Sequence, residues 1–229
     1  MICVFGGEKG GTGKTSFATN FAVCLSLCGF RIMLYDADPQ RSAIEWARAR
    51  AALGLPTLPN VYFAEGDKDG ITAHLERARK KYDHVVVDVG GAHSAELVLA
   101  LRSADCLCSP FIPSAIDLKT AAKIDSLVGD ARQVNPALRA FVFLNKTMPK
   151  PDEDEEALEA RDELAPFTNL VVARSAVVAR KPFRRAFKFH ITVPEVMRSK
   201  DRAARKAAQL ADDELWSLYQ EVTGYERAA

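Results

Sequence analysis

The amino-acid sequence predicts a doubly wound α/β fold, in which helices cover both faces of a mostly parallel sheet. Short apolar segments alternate with helical patterns along the whole chain. These segments lack the polar alternation of strands that have one face in water. Apolar strands joined by helices form parallel sheets that are covered on both sides. Polar motifs follow several of the segments, at the strand ends where such sheets bind ligands.

The predicted elements follow one another without a break of domain length. The strands are Ile2–Phe5, Arg31–Tyr35, Val61–Ala64, His84–Val87, Cys106–Pro110, Phe141–Leu144 and Leu170–Val172. Helical patterns cover about residues 14–28, 41–52, 71–81, 94–103, 117–133 and 153–164, and a last helix covers about Ser199–Val222. No internal repeat is found, so a single domain over residues 1–229 is expected.

The composition excludes several classes of protein. The net charge is +1, with 27% charged residues, so any attraction to nucleic acid has to be local. The five cysteines include no C-x-x-C pair, which argues against a secreted disulfide scaffold and favours a reducing compartment. Because no stretch approaches about 20 apolar residues and the first strand begins at once, we expect a cytoplasmic protein without a membrane span or signal peptide.

A glycine-rich segment lies between the first predicted strand and the first helix. Glycines there allow backbone N–H groups to surround phosphate oxygens, and the helix N-terminus adds partial positive charge. Lys14 can reach the β- and γ-phosphates of ATP, and the Thr15 hydroxyl can bind Mg²⁺. The segment therefore predicts a P-loop NTPase. Its nucleotide-binding residues are Lys9, Gly10, Gly11, Thr12, Gly13, Lys14, Thr15 and Ser16.

This loop departs from the ordinary G-x-x-x-x-G-K-[ST] pattern. Glu8 stands where that pattern has its first glycine, and an extra lysine, Lys9, follows it. The sequence K-G-G-T-G-K-T resembles the deviant Walker A motif of the ParA/MinD family at every defined position. In that family the first lysine crosses a dimer interface and contacts the partner's nucleotide. The resemblance thus implies an ATP-bound homodimer in which Lys9 and Lys14 are both catalytic.

Two carboxylates follow the second strand, at Asp36 and Asp38. At a strand end, the spacing i, i+2 directs both toward the phosphate loop, where they can hold Mg²⁺ through water and orient an attacking water. The segment D-A-D-P-Q resembles the switch I segment of ParA proteins. That resemblance implies that Asp38 positions the hydrolytic water and that Asp36 belongs to the magnesium site. The alternative is that the acids cap the next helix.

The fourth strand ends in Asp88, which is the position of a Walker B acid. Asp88 and Gly91 together have the D-x-x-G form of switch II. Asp88 would support Mg²⁺, and the Gly91 amide could sense the γ-phosphate.

The resemblance to ParA proteins extends over about residues 1–150. The segment from Ala104 to Leu118 is similar to the family pattern A-D-x-x-x-x-P-x-x-P-S-x-x-D-L. The strand that ends in Asn145 implies that this residue contacts adenine. Trp46 and the lack of a preceding helix-turn-helix segment resemble the small ParA type, which includes ParF-like and VirC-like proteins.

Two further sets of residues have alternative interpretations. Cys106 and Cys108 share one face of a strand, and Cys24 and Cys28 share one face of a helix. Either pair could bind a metal or an iron–sulfur cluster, but buried free cysteine is the preferred interpretation. The segment from Asp152 to Glu163 carries eight acids against one arginine and is interpreted as a solvated helix face.

The C-terminal third is basic between about residues 180 and 206, with ten Lys or Arg against two acids. Helical spacing would place the first cations on one face and Phe183 and Phe187 on another. Such a cluster suits phosphate backbones, so we expect DNA binding that is sequence-independent and sensitive to salt; the alternative is a solvated helix face. The predicted DNA-binding residues are Arg180, Lys181, Arg184, Arg185 and Lys188.

The last helix ends in acidic residues, which disfavours a membrane-binding amphipathic helix. Trp216 and Tyr219 are expected to dock it on the core. His190 stands where ParA proteins often have glycine, which is a departure from the family pattern.

The leading hypothesis is a ParA-type ATPase for DNA partition or cargo positioning. The resemblance implies a dimer that encloses two ATP·Mg²⁺, binds nucleoid DNA without sequence preference, and is released by hydrolysis. Hydrolysis is expected to be slow until a ParB-like or other adaptor protein completes the site. One alternative is a metabolic enzyme of the dethiobiotin synthetase or cobyrinic acid amidase type, which activates a carboxylate with ATP. An iron–sulfur carrier is opposed by the absence of C-x-x-C.

Overall fold

The computed structural model describes residues 1–7, 9–55, 58, 60–65, 70–91, 95–113 and 118–226. The strands are β1 (Ile2–Phe5), β2 (Ile32–Asp36), β3 (Val61–Glu65), β4 (His84–Asp88), β5 (Cys106–Phe111), β6 (Arg139–Thr147), β7 (Val171–Val172) and β8 (Val177–Val178). The helices are α1 (Lys14–Leu27), α2 (Ser42–Ala52), α3 (Ile71–Lys81), α4 (Ala95–Leu101), α5 (Leu118–Arg132), α6 (Glu155–Leu164), α7 (Lys181–Lys188), α8 (Val193–Met197) and α9 (Arg202–Thr223).

The strands form one parallel sheet in the order β3-β2-β4-β1-β5-β6-β7, and β8 also pairs with β6. β1 lies in the middle, with β4 on one side and β5 on the other. The chain thus builds outward from β1 in both directions, which is the doubly wound topology predicted from the sequence. Because all paired strands are parallel, their carboxyl ends lie at one edge of the sheet, where a ligand is expected.

Each face of the sheet has its own hydrophobic core. Val4 of β1 belongs to a core with Leu75 of α3 and Leu97 of α4. Its neighbour Phe5 points to the opposite core, which includes Phe21 of α1 and Tyr219 of α9. Alternate residues of the central strand therefore enter different cores, as the period of two requires. Helices on both faces explain why the strands are apolar throughout.

The main differences from the predicted elements concern β6, β8, α8 and α9. β6 continues to Thr147, so Asn145 lies within the strand rather than at its end. The short β8 and α8 were not predicted. The last helix begins at Arg202 instead of Ser199, because the Asp201 carboxylate caps it by accepting hydrogen bonds from two backbone N–H groups.

Some predictions lie outside the described residues. They concern Glu8, the helix starts at residues 94 and 117, and the part of the ParA-like segment at residues 114–117.

The last helix docks on the core as predicted. Tyr219 is fully buried and its ring lies 5.6 Å from that of Phe21, and Trp216 is also buried. Among the described helices, none combines the length and the apolar character that crossing a bilayer requires.

Candidate nucleotide-binding site

The predicted phosphate loop connects β1 to α1 at the carboxyl edge of the sheet. Gly11 and Gly13 have φ angles of +76° and +105°, in the left-handed region that favours glycine. A Cβ at Gly13 would also lie 2.8 Å from the side-chain nitrogen of Asn145. At this position the loop therefore requires glycine for two separate reasons.

Lys14 is held beneath the loop. Its Nζ donates a hydrogen bond to the Lys9 carbonyl at 2.8 Å, and only 8% of the residue is exposed. Burial lowers the pKa of Lys14, whereas the nearby charges of Asp88 and Asp38 raise it. The lysine that the sequence assigns to the phosphates thus lies between the loop and two of the predicted acidic residues.

Asn145 and Lys146 of β6 hold the loop from the other side. Asn145 donates to the Thr12 carbonyl at 2.7 Å and accepts from the Lys146 backbone N–H at 2.8 Å. The Lys146 ammonium reaches the Gly11 carbonyl at 2.8 Å. Asn145 is therefore on the wall of the site, in contact with the loop, and its assignment to adenine stays a prediction. No sequence motif identifies Lys146 as a residue of this site.

Asp36 is almost fully buried at the end of β2. Its two oxygens accept hydrogen bonds from the backbone N–H groups of Asp38 at 3.0 Å and Ile44 at 2.9 Å. Burial raises the pKa of Asp36, and these backbone hydrogen bonds oppose the rise. Asp36 thus caps the first turn of α2, which is the alternative considered in the sequence. Its assignment to the magnesium site stays a prediction.

Asp38 lines the cleft beside the loop. One of its oxygens accepts from the Gln40 backbone N–H at 2.9 Å. A Cβ at Gly90 would lie 3.2 Å from the same oxygen, so the switch II segment approaches the carboxylate closely. The structure brings together the segments that sequence analysis compared to switch I and switch II.

Asp88 is fully buried, and neither of its oxygens has a hydrogen-bond partner among the described residues. Burial raises the pKa of Asp88 to about 7, although the Lys14 charge and the Thr15 hydroxyl, which lies near the carboxylate without meeting hydrogen-bond geometry, act to lower it. An ionised carboxylate in such a place is costly unless it is paired or coordinates a metal. Asp88 and Thr15 together therefore fit a Mg²⁺ ion.

A cavity of about 940 Å³ extends from the loop to α7. Arg180, Phe183, Arg184, Phe187 and Lys188 all line it. The prediction that the cations and the phenylalanines occupy different faces is therefore wrong. Positions i, i+3, i+4, i+7 and i+8 form a single stripe on a helix, and here the stripe faces the cleft.

The five predicted DNA-binding residues have different surroundings. Lys181, Arg184, Arg185 and Lys188 are exposed. Arg180 is partly buried, and its guanidinium donates from Nε and from Nη2 to one Glu214 oxygen, at 2.9 and 2.7 Å. Its charge is thus already neutralised within the chain.

A buried ion pair connects α2 to the C-terminal third. Arg50 donates to both oxygens of Glu195 at 3.1 and 2.8 Å and to the His190 carbonyl at 2.6 Å. Glu195 also accepts from Thr192 at the start of α8, where the two residues form a capping box. No local sequence pattern indicates this contact, because its partners lie 145 residues apart.

Three cysteines cluster within the sheet. The sulfurs of Cys3, Cys106 and Cys108 lie within 4.8 Å of one another, and all three residues are fully buried in the apolar core of one face. Burial raises the pKa of the Cys108 thiol. The three residues carry no disulfide and lie among apolar side chains, so buried free cysteine describes this cluster. Cys24 and Cys28 belong to no such cluster among the described residues.

Comparison with known proteins agrees with this geometry. The family model described as the CobQ/CobB/MinD/ParA nucleotide binding domain matches residues 3–188. Maintenance of carboxysome distribution protein A of Halothiobacillus neapolitanus is 32% identical over 146 residues, 62% of this chain and 64% of that protein. The protein of the same name from Gloeobacter kilaueensis is 34% identical over 192 residues, 83% of this chain and 78% of that protein.

A third relative and two solved structures extend the comparison. The chromosome-partitioning ATPase Soj of Thermus thermophilus is 28% identical over 162 residues, 60% of this chain and 65% of Soj. The chain thus spans slightly less than two thirds of two of these three relatives. The structure of Cyanothece apo McdA superposes with a TM-score of 0.68 at 15% identity, over 93% of this chain and 98% of that one. The cell division ATPase MinD of Pyrococcus furiosus gives 0.60 at 17% identity, over 95% and 98%. At these identities the structures show the shared fold.

Proposed function

This chain belongs to the CobQ/CobB/MinD/ParA nucleotide-binding family, and from that membership we propose that it is an ATPase whose ATP-bound dimer binds DNA and positions a cargo. Hydrolysis, stimulated by an adaptor protein, releases the dimer from DNA. The observation that carries the proposal is the buried carboxylate of Asp88, without a described partner, beside Thr15 and Lys14 at a phosphate loop.

The loop and its lysine bind the triphosphate of ATP. Backbone N–H groups between Gly10 and Thr15 point toward the phosphates, and α1 adds the partial positive charge of its N-terminus. Lys14 exchanges its hydrogen bond to the Lys9 carbonyl for one to phosphate oxygens, which neutralises their charge. The cavity of about 940 Å³ is within the range of nucleotide-sized pockets.

Thr15 and Asp88 would hold Mg²⁺, with Asp36 supporting it from the end of β2. When bound, the ion neutralises charge on the β- and γ-phosphates. The chain contributes the Thr15 hydroxyl and the Asp88 carboxylate, and burial keeps the carboxylate available for a cation rather than for water.

Asp38 orients the water that attacks the γ-phosphate. One of its oxygens accepts from the Gln40 N–H, which holds the carboxylate at the wall of the cleft, and the other oxygen would accept a water hydrogen. Asp38 contributes only the orientation of the water, so hydrolysis by the isolated protein is expected to be slow. An adaptor protein accelerates it by completing the site.

The proposed dimer uses Lys9, the first lysine of the loop. The Lys9 side chain is exposed at the edge of the site, while its carbonyl belongs to the loop. An exposed cation in this place can cross to the nucleotide of a second subunit. Exposed cations from α7 and from α9 then contribute to a DNA-binding surface on the dimer.

The relatives suggest what kind of cargo is positioned. Two are named for carboxysome distribution and one for chromosome partitioning. A protein assembly and a DNA molecule are both large cargoes that a nucleotide-switched DNA-binding protein can move. The adaptor recognises the cargo, so the ATPase itself needs no base-specific contacts.

The test is DNA binding by the purified protein with ATP, with ADP and without nucleotide, over a series of salt concentrations. The proposal expects binding only with ATP, falling steeply as salt rises because phosphate contacts release counterions. Lys14→Ala should abolish the ATP dependence. Absence of DNA binding in every nucleotide state would contradict the proposal and favour the metabolic carboxylate-activating alternative.

A further inference from the structure

Helix α7 presents one stripe of side chains to the nucleotide cleft. We call Phe183, Arg184, Phe187 and Lys188 the cleft stripe; all four line the same cavity as Gly10–Gly11 and Gly13–Phe17. The other two cations of this helix, Lys181 and Arg185, are exposed but do not line that cavity. Two cations of α7 therefore line the cleft, and the other two lie outside it.

The packing of α7 fixes this division. Phe183 lies 6.1 Å from the ring of Phe17, which belongs to the first turn of α1 directly after the phosphate loop. Phe187 packs against the core that contains Phe17. Ala186 is buried between α7 and the helices α8 and α9. Because these contacts set the rotation of α7, Arg184 and Lys188 stay on the side of the phosphate loop.

The charges of the stripe are available for an anion. Within the described part of the chain, Arg184 and Lys188 form no ion pair, whereas their neighbour Arg180 is bound to Glu214. The part of the cavity wall that α7 forms thus carries two exposed cations, and the cavity is of a size for a nucleotide. ATP is the polyanion that this cavity would hold.

We propose that Arg184 and Lys188 bind the ATP in this cleft, and that the DNA-facing charge of α7 belongs to Lys181 and Arg185. This inference rests on the proposed function of the site. It assigns two residues that sequence analysis predicted for DNA to the nucleotide instead. Phe183 and Phe187 position the two cations by holding the helix against α1.

Two double variants that remove the same charge from the same helix test the proposal. Arg184→Gln with Lys188→Gln should weaken binding of a fluorescent ATP analogue about fivefold or more in the absence of DNA, as expected for two partly exposed charge contacts. Lys181→Gln with Arg185→Gln should instead weaken ATP-dependent DNA binding and leave the dissociation constant of the analogue within about twofold. The two variants should thus show opposite defects.

Further measurements keep the outcomes distinct. Arg184→Lys with Lys188→Arg should restore most of the nucleotide affinity, since it keeps both charges, and thermal unfolding should show that every variant is folded. Equal nucleotide affinity in both Gln variants would overturn the inference. If the analogue binds wild type and Lys14→Ala equally, the proposed function itself fails, whatever the α7 variants show.

Discussion

At the scale of single residues, Gly13 shows how strongly the backbone limits this site. Its φ of +105° is unfavourable for any residue with a Cβ, and a Cβ would also approach Asn145 to 2.8 Å. Gly13→Ala should therefore destabilise the fold by about 1–3 kcal/mol and weaken ATP binding, because the loop and Asn145 must both shift. Urea unfolding and nucleotide titration measure the two effects.

Gly29→Ala is a matched control for that change. Gly29 has a φ of +91°, but no atom lies within 4 Å of the position of its Cβ. The Gly29→Ala variant should lose stability from backbone strain alone and keep its ATP affinity. If Gly29→Ala costs as much as Gly13→Ala, the contact with Asn145 contributes nothing.

Asp88 should make the stability of the protein depend on pH. Its pKa is raised from 3.8 to about 7 in the folded state, so between these values the folded protein holds a proton that the unfolded chain has released. The free energy of unfolding therefore falls as pH rises from about 4 to 7, when Mg²⁺ and nucleotide are absent. Asp88→Asn should flatten this part of the profile and stabilise the protein at pH 8 by a few kcal/mol.

Mg²⁺ gives a second measurement on the same residue. At pH 8, Mg²⁺ with ADP should raise the melting temperature of wild type more than that of Asp88→Asn, because the ion loses a carboxylate in the variant. Identical shifts in the two proteins would count against a magnesium site at Asp88.

At the scale of elements, the ion pair between Arg50 and Glu195 joins α2 to α8. The Arg50 side chain is 5% exposed and that of Glu195 is 21% exposed, so loss of one partner leaves a largely buried charge. Glu195→Gln should destabilise the protein by about 2–4 kcal/mol in chemical denaturation. In the exposed pair of Lys150 and Glu153, Glu153→Gln should change stability by less than about 0.5 kcal/mol.

The same elements show what sequence analysis could and could not predict. The central strands and the phosphate loop were predicted because their signals are local: apolar runs, glycines and a lysine at fixed spacing. β8 and α8 have two and five residues, which is too short for a periodic pattern. Arg50 and Glu195 meet only through the fold, so no local pattern indicates their contact.

His190 shows how a departure from a family pattern can be resolved by backbone geometry. Its φ is +56°, in the left-handed region that favours glycine. The position thus has a backbone conformation that suits glycine, which is the residue in the family pattern. The carbonyl of His190 accepts the Arg50 hydrogen bond at 2.6 Å.

At the scale of the whole molecule, the doubly wound topology explains why motifs from distant segments form one site. The loop after β1 and the acids at the ends of β2 and β4 belong to three adjacent strands, and Asn145 lies on β6, beyond β5, at the same edge of the sheet. Strand order could be anticipated only as a class of fold, since pairing depends on contacts between distant residues. The cleft-facing rotation of α7 could not be predicted, because helical spacing alone does not say which side the core covers.

The two lysines of the loop should separate nucleotide binding from assembly. The Lys14 ammonium is buried beneath the loop of its own subunit, whereas the Lys9 side chain is exposed. Lys9→Gln should therefore bind ATP with near-normal affinity but fail to dimerise, and Lys14→Gln should fail in both. Sedimentation velocity with a slowly hydrolysed ATP analogue measures assembly, and a fluorescent analogue measures affinity. Dimers of Lys9→Gln as stable as those of wild type would show that Lys9 does not cross the interface, and the ATP-bound dimer would then need a different contact to explain its nucleotide dependence.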